Sequence, residues 1–140
     1  MSELIIDTLT GKTSAGSVTV TSEGGAATQS LQQGLAKAWV NLNGTGTIAV
    51  RDSLNIASLT DIGTGGYDTN FTNNFSAADY SYLLSADGVV NGNVTSLGYG
   101  DSDNTPLTTG DATVESRGGE GGGSNVDATV YTTAGFGDLA

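Results

Sequence analysis

Apolar and polar residues alternate over short runs along most of this chain, and turn residues separate the runs. Between Tyr67 and Thr72, for example, the large side chains occupy every second position. This period-two pattern is typical of strands with one buried face. Roughly six to nine such strands, about 8–12 residues apart and with little helix, predict an all-β protein. The expected architecture is an antiparallel β-sandwich with a jelly-roll-like strand order.

The predicted strands lie between turn signals such as Gly44-Thr45-Gly46, the run at 61–66 and Asp87-Gly88. They span residues 38–43, 47–51, 54–59, 67–71, 80–86, 112–115 and 126–132. Gly44-Thr45-Gly46 also fits a loose dinucleotide-binding fingerprint, but the residues after it favour a strand over the helix that such a site requires. A hairpin turn is therefore expected there.

The first 34 residues differ from the rest of the chain. They offer two short apolar strands, at 1–10 and 17–21, and too little apolar material to fold alone. The segment is therefore either disordered or an extended arm that lies on other chains, and we favour the arm. The stretch 30–39 is helix-like, with Ser30 and Gln33 at capping-box spacing and Gly34 weakening it. A short helix and an extended lead-in both remain open. The predicted domains are an arm, 1–34, and a β-sandwich knob, 35–140.

Charge and missing residue types limit the chemistry. The net charge is -11, which disfavours nucleic acid and anionic membrane surfaces as partners. Without His or Cys, zinc sites, thiol nucleophiles and His-based triads are excluded. No acidic pair has the apolar setting of a glycosidase, and Arg51 with Asp52 is interpreted as an ion pair. We therefore expect that the protein is not an enzyme and binds no cofactor. The beginning of the chain has no secretory signal, which predicts synthesis in the cytoplasm.

One segment of the second half has candidate binding residues. Tyr99 lies between two glycines and is expected to be exposed. Asp101, Asp103 and Asn104 have the oxygen spacing of the first part of a calcium loop, although the Gly and Glu that complete such a loop are missing. Whether an ion binds there stays open. Together with Pro106 and the glycine tract 118–123, these residues form the candidate recognition loops.

The sequence also resembles a domain common in tailed bacteriophages, usually described as a tail-fibre or phage structural protein. The likeness covers about residues 36–140 and is dense in the first 40 of them. The residues that carry it are 38–56 (AWVNLNGTGTIAVRDSLNI), 59–65 (LTDIGTG), 67–75 (YDTNFTNNF) and 126–140, with Phe136-Gly137-Asp138 near the end.

The resemblance implies a non-enzymatic homotrimeric knob on a virion surface, assembled in the host cytoplasm, with residues 1–34 holding other capsid or tail proteins. A core this small gains from trimerisation, and we expect a seam at Trp39, Val40 and Leu42. Capsid decoration or cementing through the arm is slightly favoured over adhesion to the host surface through the recognition loops, because the chain is short. The alternatives are a tail-fibre tip that recognises host glycan and, less favoured, a polysaccharide depolymerase.

Overall fold

A computed structural model describes residues 3–14, 17–87, 94–99, 107–118 and 124–140, with the backbone alone for 94–99 and 118. The chain divides into two compact units, Met1–Leu35 and Ala36–Ala140.

The first unit contains a small hairpin and one helical turn. Strands β1 (Thr19–Thr21) and β2 (Thr28–Ser30) pair antiparallel. Helix α1 (Leu31–Gly34) begins directly after β2, and the Ser30 hydroxyl caps it by accepting from the Gln33 amide at 3.4 Å. The strand predicted at 17–21 is confirmed in its second half. Of the two alternatives for 30–39, the short helix is present, but it has four residues only, because the chain becomes extended at Leu35.

The described part of the second unit contains eight strands, and the last of them begins later than the sequence predicts. They are β3 (Ala38–Asn43), β4 (Ala49–Leu54), β5 (Ile56–Gly63), β6 (Gly66–Phe71), β7 (Ser81–Asp87), β8 (Val94–Tyr99), β9 (Asp111–Gly118) and β10 (Val130–Phe136). Strand β3 has the predicted bounds. The strand predicted at 126–132 is shifted, because Val126 bonds through its amide and carbonyl to Ser116 of β9 rather than to β3 or β7, the two strands that pair with β10.

The eight strands form two four-stranded sheets, ordered β4-β3-β10-β7 and β5-β6-β9-β8. We call them the first and the second sheet. Every pairing is antiparallel, and the two sheets pack over one core. The predicted all-β antiparallel sandwich is confirmed, whereas the jelly-roll-like strand order stays a prediction.

Inward residues of both sheets form the core, and its largest members are tyrosines and phenylalanines. Phe75 and Tyr80 stack with ring centroids 4.0 Å apart, while Phe71 meets both rings edge-on. Edge-to-face and stacked pairs of this kind add to the energy of burial. The buried apolar residues are Ala38, Val40, Leu42, Tyr67, Phe71, Phe75, Tyr80, Tyr82, Ala112, Val114, Ala128 and Tyr131.

The chain passes from the first sheet to the second at Asn55, which lies between β4 and β5 and has a φ of 59°. Left-handed backbone is strained for most residues and more easily adopted by Asn. The side chain also fixes the corner: its Oδ1 accepts from the Asn73 amide at 2.7 Å and its Nδ2 donates to the Asn73 carbonyl at 2.9 Å.

This geometry predicts different costs for two substitutions. Asn55→Gly loses the bonds to Asn73 but relieves the backbone, so we expect a loss of about 1–2 kcal/mol in unfolding free energy. Asn55→Ala loses the bonds and keeps the left-handed φ, which adds about 1–2 kcal/mol. Urea unfolding followed by circular dichroism measures both. Equal losses in the two variants would contradict the backbone argument.

Candidate functional site

Two buried tyrosines hold a polar network at one end of the sandwich. The Tyr67 hydroxyl lies 2.9 Å from the Gly44 carbonyl and 3.0 Å from Asp127 Oδ1. The Tyr131 hydroxyl bonds with the Ser116 hydroxyl and lies 3.2 Å from the Gly65 carbonyl. The two rings meet edge-on with centroids 4.9 Å apart.

Burial keeps these two phenols neutral. Desolvation first, and then the hydrogen bond with Asp127, raises the pKa of Tyr67 well above its ordinary value of 10.0. Burial also raises the pKa of Tyr131, although the hydrogen bond with Ser116 opposes the shift. A phenol with a raised pKa is a poor base and nucleophile near neutral pH. This network is therefore suited to joining loops and strands.

A second hydrogen-bonded chain crosses the centre of the core. The Tyr82 hydroxyl of the first sheet lies 2.9 Å from the Thr69 hydroxyl of the second sheet and 2.9 Å from the Thr133 hydroxyl. Thr69 also donates to the Ala112 carbonyl at 2.9 Å. Each of these hydroxyls is satisfied within the interior, so the chain fixes how the two sheets face each other.

The outer face of the second sheet is acidic. Strand register places Asp68 opposite Thr113, Asp111 opposite Asn70 and Glu115 opposite Gly66. Asp68 accepts from the Thr113 hydroxyl at 2.6 Å. Glu115 accepts from Arg117 at 3.2 Å and from the Asn125 amide at 3.1 Å. Asp68 and Glu115 are thus bound to polar neighbours, and Glu115 is buried, with 7% of its surface exposed.

The outer face of the first sheet has a different character. Strand register places Leu54, Trp39, Ala134 and Leu83 side by side, one residue from each of the four strands. We call this set the apolar row. Leu54 is 47% exposed and Leu83 58% exposed, and the two central members are partly exposed. With strands about 4.8 Å apart, the row is about 14 Å long.

Phe136 extends this surface along β10. It lies two residues beyond Ala134, is partly exposed and pairs with Ser81. The same face has two acids, Asp52 and Asp87, on the side of the row away from Phe136. Asp52 lies opposite Asn41, and Asp87 lies opposite Val130. The row itself has no charged member.

The three residues expected to form the seam lie on two opposite faces of β3. Trp39 points outward and belongs to the apolar row. Val40 and Leu42 are 1% and 0% exposed and lie in the core. Their assignment to an intersubunit seam is corrected, because a side chain in the sandwich interior cannot touch another chain. The role of Trp39 stays a prediction.

The expected recognition loops lie mostly outside the described residues. This holds for Asp101, Asp103, Asn104, Pro106 and residues 119–123. For Tyr99 the structure gives the backbone, which ends β8 and pairs with Val114. The exposure of Tyr99 therefore stays a prediction, and an ion at 101–104 stays an open question.

Arg51 has partners other than the expected one. Its guanidinium donates to the Leu42 carbonyl at 2.9 Å, to Asn41 Oδ1 at 3.2 Å and to the Thr129 carbonyl. Asp52 accepts instead from the Ser53 amide at 2.9 Å. The interpretation of Arg51 and Asp52 as an ion pair is thus wrong. Arg51 joins β3 and β4 to the segment before β10.

The described part of the chain has no helix long and apolar enough to cross a membrane. Within the same residues, no group of three or more acidic side chains is arranged to hold a metal ion. No family model, no curated protein and no solved structure matches the chain.

Sequence reasoning missed three members of the apolar row and their neighbour, namely Leu54, Leu83, Ala134 and Phe136. The period-two pattern shows which residues of a single strand share a face, for position 83 in β7 and for positions 134 and 136 in β10. It does not tell which strands are neighbours, and the row exists only through the register across four strands.

Proposed function

We propose that this chain is a non-enzymatic structural subunit of a bacteriophage particle, a homotrimeric β-sandwich knob on the virion surface. The observation that carries the proposal is the difference between the two outer faces of the sandwich. One face is acidic, and the other has an uncharged apolar row across all four strands. Contiguous exposed apolar surface is typical of protein contact sites, and the row supports such a contact here.

The charge of the chain supports contact on the apolar side. Each copy has a net charge of -11, so copies repel one another where acids face acids. The apolar row is a place where copies approach without that cost. The buried tyrosines with raised pKa values serve the same interpretation, since they join structural elements and offer no activated nucleophile.

The phage assignment is supported by the sequence resemblance, which is densest where the structure has β3 to β6. In this proposal residues 1–34 hold capsid or tail proteins, and the particle is assembled in the host cytoplasm. Capsid decoration or cementing is the favoured role. Contact with a host glycan through Tyr99 and the 101–106 loop is the variant in which the knob acts as a tail-fibre tip. Neither role requires a cofactor, nucleic acid or a membrane.

Light scattering of the purified full-length protein tests the assembly. We expect a mass near three times the 14.0 kDa of one chain, and three chains again after removal of residues 1–34. A stable monomer would contradict the proposal. A screen against bacterial polysaccharides tests the non-enzymatic role, and turnover that disappears when one Asp or Glu is replaced would overturn it in favour of a depolymerase.

A further inference from the structure

We infer that Asn43 is a chemical modification site, where transient opening of the loop after β3 leads to irreversible deamidation. The inference does not depend on the proposed trimer or on the phage assignment. Asn43 ends β3, and Gly44 follows it directly. An asparagine followed by glycine is prone to deamidation, because no Cβ of the next residue hinders attack of its backbone nitrogen on the asparagine side chain.

The reaction joins the Gly44 backbone nitrogen to Cγ of Asn43. Hydroxide removes the amide proton, the nitrogen attacks Cγ, and the bond from Cγ to Nδ2 breaks with release of ammonia. Water then opens the cyclic imide at either of its two carbonyl carbons. The product is an aspartate or an isoaspartate at position 43, so the reaction as a whole consumes water and releases ammonia.

The folded protein holds both reacting groups in other bonds. The Gly44 amide donates to the Ala128 carbonyl at 3.0 Å, so its proton is retained in a hydrogen bond. The Asn43 side chain is bound to Thr45, since Nδ2 donates to the Thr45 carbonyl at 3.3 Å and Oδ1 accepts from the Thr45 hydroxyl at 2.9 Å. Formation of the imide requires the loop to leave these contacts, so local opening limits the rate.

Close packing requires a glycine at position 44. Gly44 is buried, and a Cβ added to it would collide with the Tyr67 phenol and lie 3.0 Å from the Ala128 carbonyl oxygen. The Tyr67 hydroxyl also donates to the Gly44 carbonyl at 2.9 Å, which ties the loop to the tyrosine network. The residue that lets the loop close against Tyr67 therefore also makes Asn43 reactive whenever the loop opens.

Deamidation prevents the loop from closing again in the same way. The product has no Nδ2 to donate to the Thr45 carbonyl, and its carboxylate adds a negative charge beside that carbonyl oxygen. Isoaspartate also lengthens the backbone by one carbon atom at the end of β3, where Asn43 pairs with Ala49. A chain that opens long enough to react is therefore permanently altered at this end of the sandwich.

Peptide mapping by mass spectrometry tests the inference on the full-length protein, kept folded in mildly alkaline buffer or unfolded in guanidinium chloride at the same pH. Trypsin cleaves after Lys37 and Arg51, and fragmentation of this peptide separates Asn43 from Asn41, which is followed by leucine. We expect deamidation of Asn43 to be at least about tenfold slower in the folded protein than in the unfolded chain. An equal rate in the two states would overturn the inference.

Three variants test whether the loop controls the rate. Tyr67→Phe and Thr45→Ala each remove one hydroxyl that holds the loop, and we expect each to raise the rate at Asn43 in the folded protein about 2- to 10-fold. Thr45→Ala decides the matter if Tyr67→Phe does not fold. Tyr82→Phe is the matched control, since it removes a buried phenol hydroxyl that bonds with Thr69 and should leave the rate within about twofold. An equal acceleration in Tyr82→Phe, or none in the loop variants, would show that the loop does not control the reaction.

Discussion

Replacing Gly65 by alanine is expected to cost about 3–5 kcal/mol of unfolding free energy. Gly65 has a φ of 73°, which is strained for a residue with a side chain. A Cβ there would lie 2.6 Å from the Ser116 carbonyl oxygen and 2.7 Å from that of Val126. Both are backbone atoms, and both residues also bond with the Tyr131 hydroxyl, Ser116 through its side chain and Val126 through its carbonyl. Relief of the clash therefore requires backbone at that end of the sandwich to move.

Gly46→Ala is the matched control, because Gly46 has a similar φ of 66° and a Cβ added there would meet no heavy atom within 4 Å. We expect it to cost about 1–2 kcal/mol, the backbone part alone. Urea unfolding followed by circular dichroism measures both variants. If Gly65→Ala cost no more than Gly46→Ala, the close packing around Gly65 would not matter for stability.

Alkaline pH is expected to unfold the sandwich through its two network tyrosines. In the folded protein the pKa values of Tyr67 and Tyr131 are raised above the ordinary 10.0, while in the unfolded chain they return to it. The folded state therefore holds these protons more tightly. Their contribution to stability is fully present below about pH 10 and is lost as the pH rises further, by up to about 1.4 kcal/mol per pH unit for each tyrosine.

The slope of stability against pH separates this effect from ordinary loss of a hydrogen bond. Tyr67→Phe lowers stability at every pH, but it also removes one titrating group, so the decline above about pH 10 should become shallower. Unfolding free energies from urea titrations between about pH 8 and pH 11 give the slope. An unchanged slope in Tyr67→Phe would show that this phenol ionises alike in the folded and unfolded states.

The alternation of large and small residues is sufficient to predict most strands, but it fails where polar or small residues face inward. Apolar residues predict strand β10 at 126–132, whereas it spans Val130–Phe136. Thr133 faces inward because its hydroxyl bonds with Tyr82. Gly135 also faces inward, where an added Cβ would lie 3.0 Å from Phe75 and 3.1 Å from Tyr82, so a larger residue would crowd both rings. Both reasons depend on residues distant in sequence.

The candidate contact surface is predictable from the sequence only in part. Trp39 lies on the outer face, but Val40 and Leu42 lie on the opposite face of β3, as the alternation of side chains along a strand requires. The period-two pattern alone is enough to predict that Trp39 lies on the face opposite to Val40 and Leu42. The partnership of Trp39 with Leu54 and Leu83 does not follow from any local pattern, because it depends on which strands pair and in which register.

Assembly through the apolar row is tested most directly by the solution mass of Leu83→Asp, measured beside that of the natural full-length protein. We expect three chains for the natural protein and one for the variant, since a charge enters the row at its most exposed position. Ser58→Asp adds the same charge to an exposed site on the second sheet and should remain three chains. A Leu83→Asp protein that keeps the three-chain mass would contradict the claim.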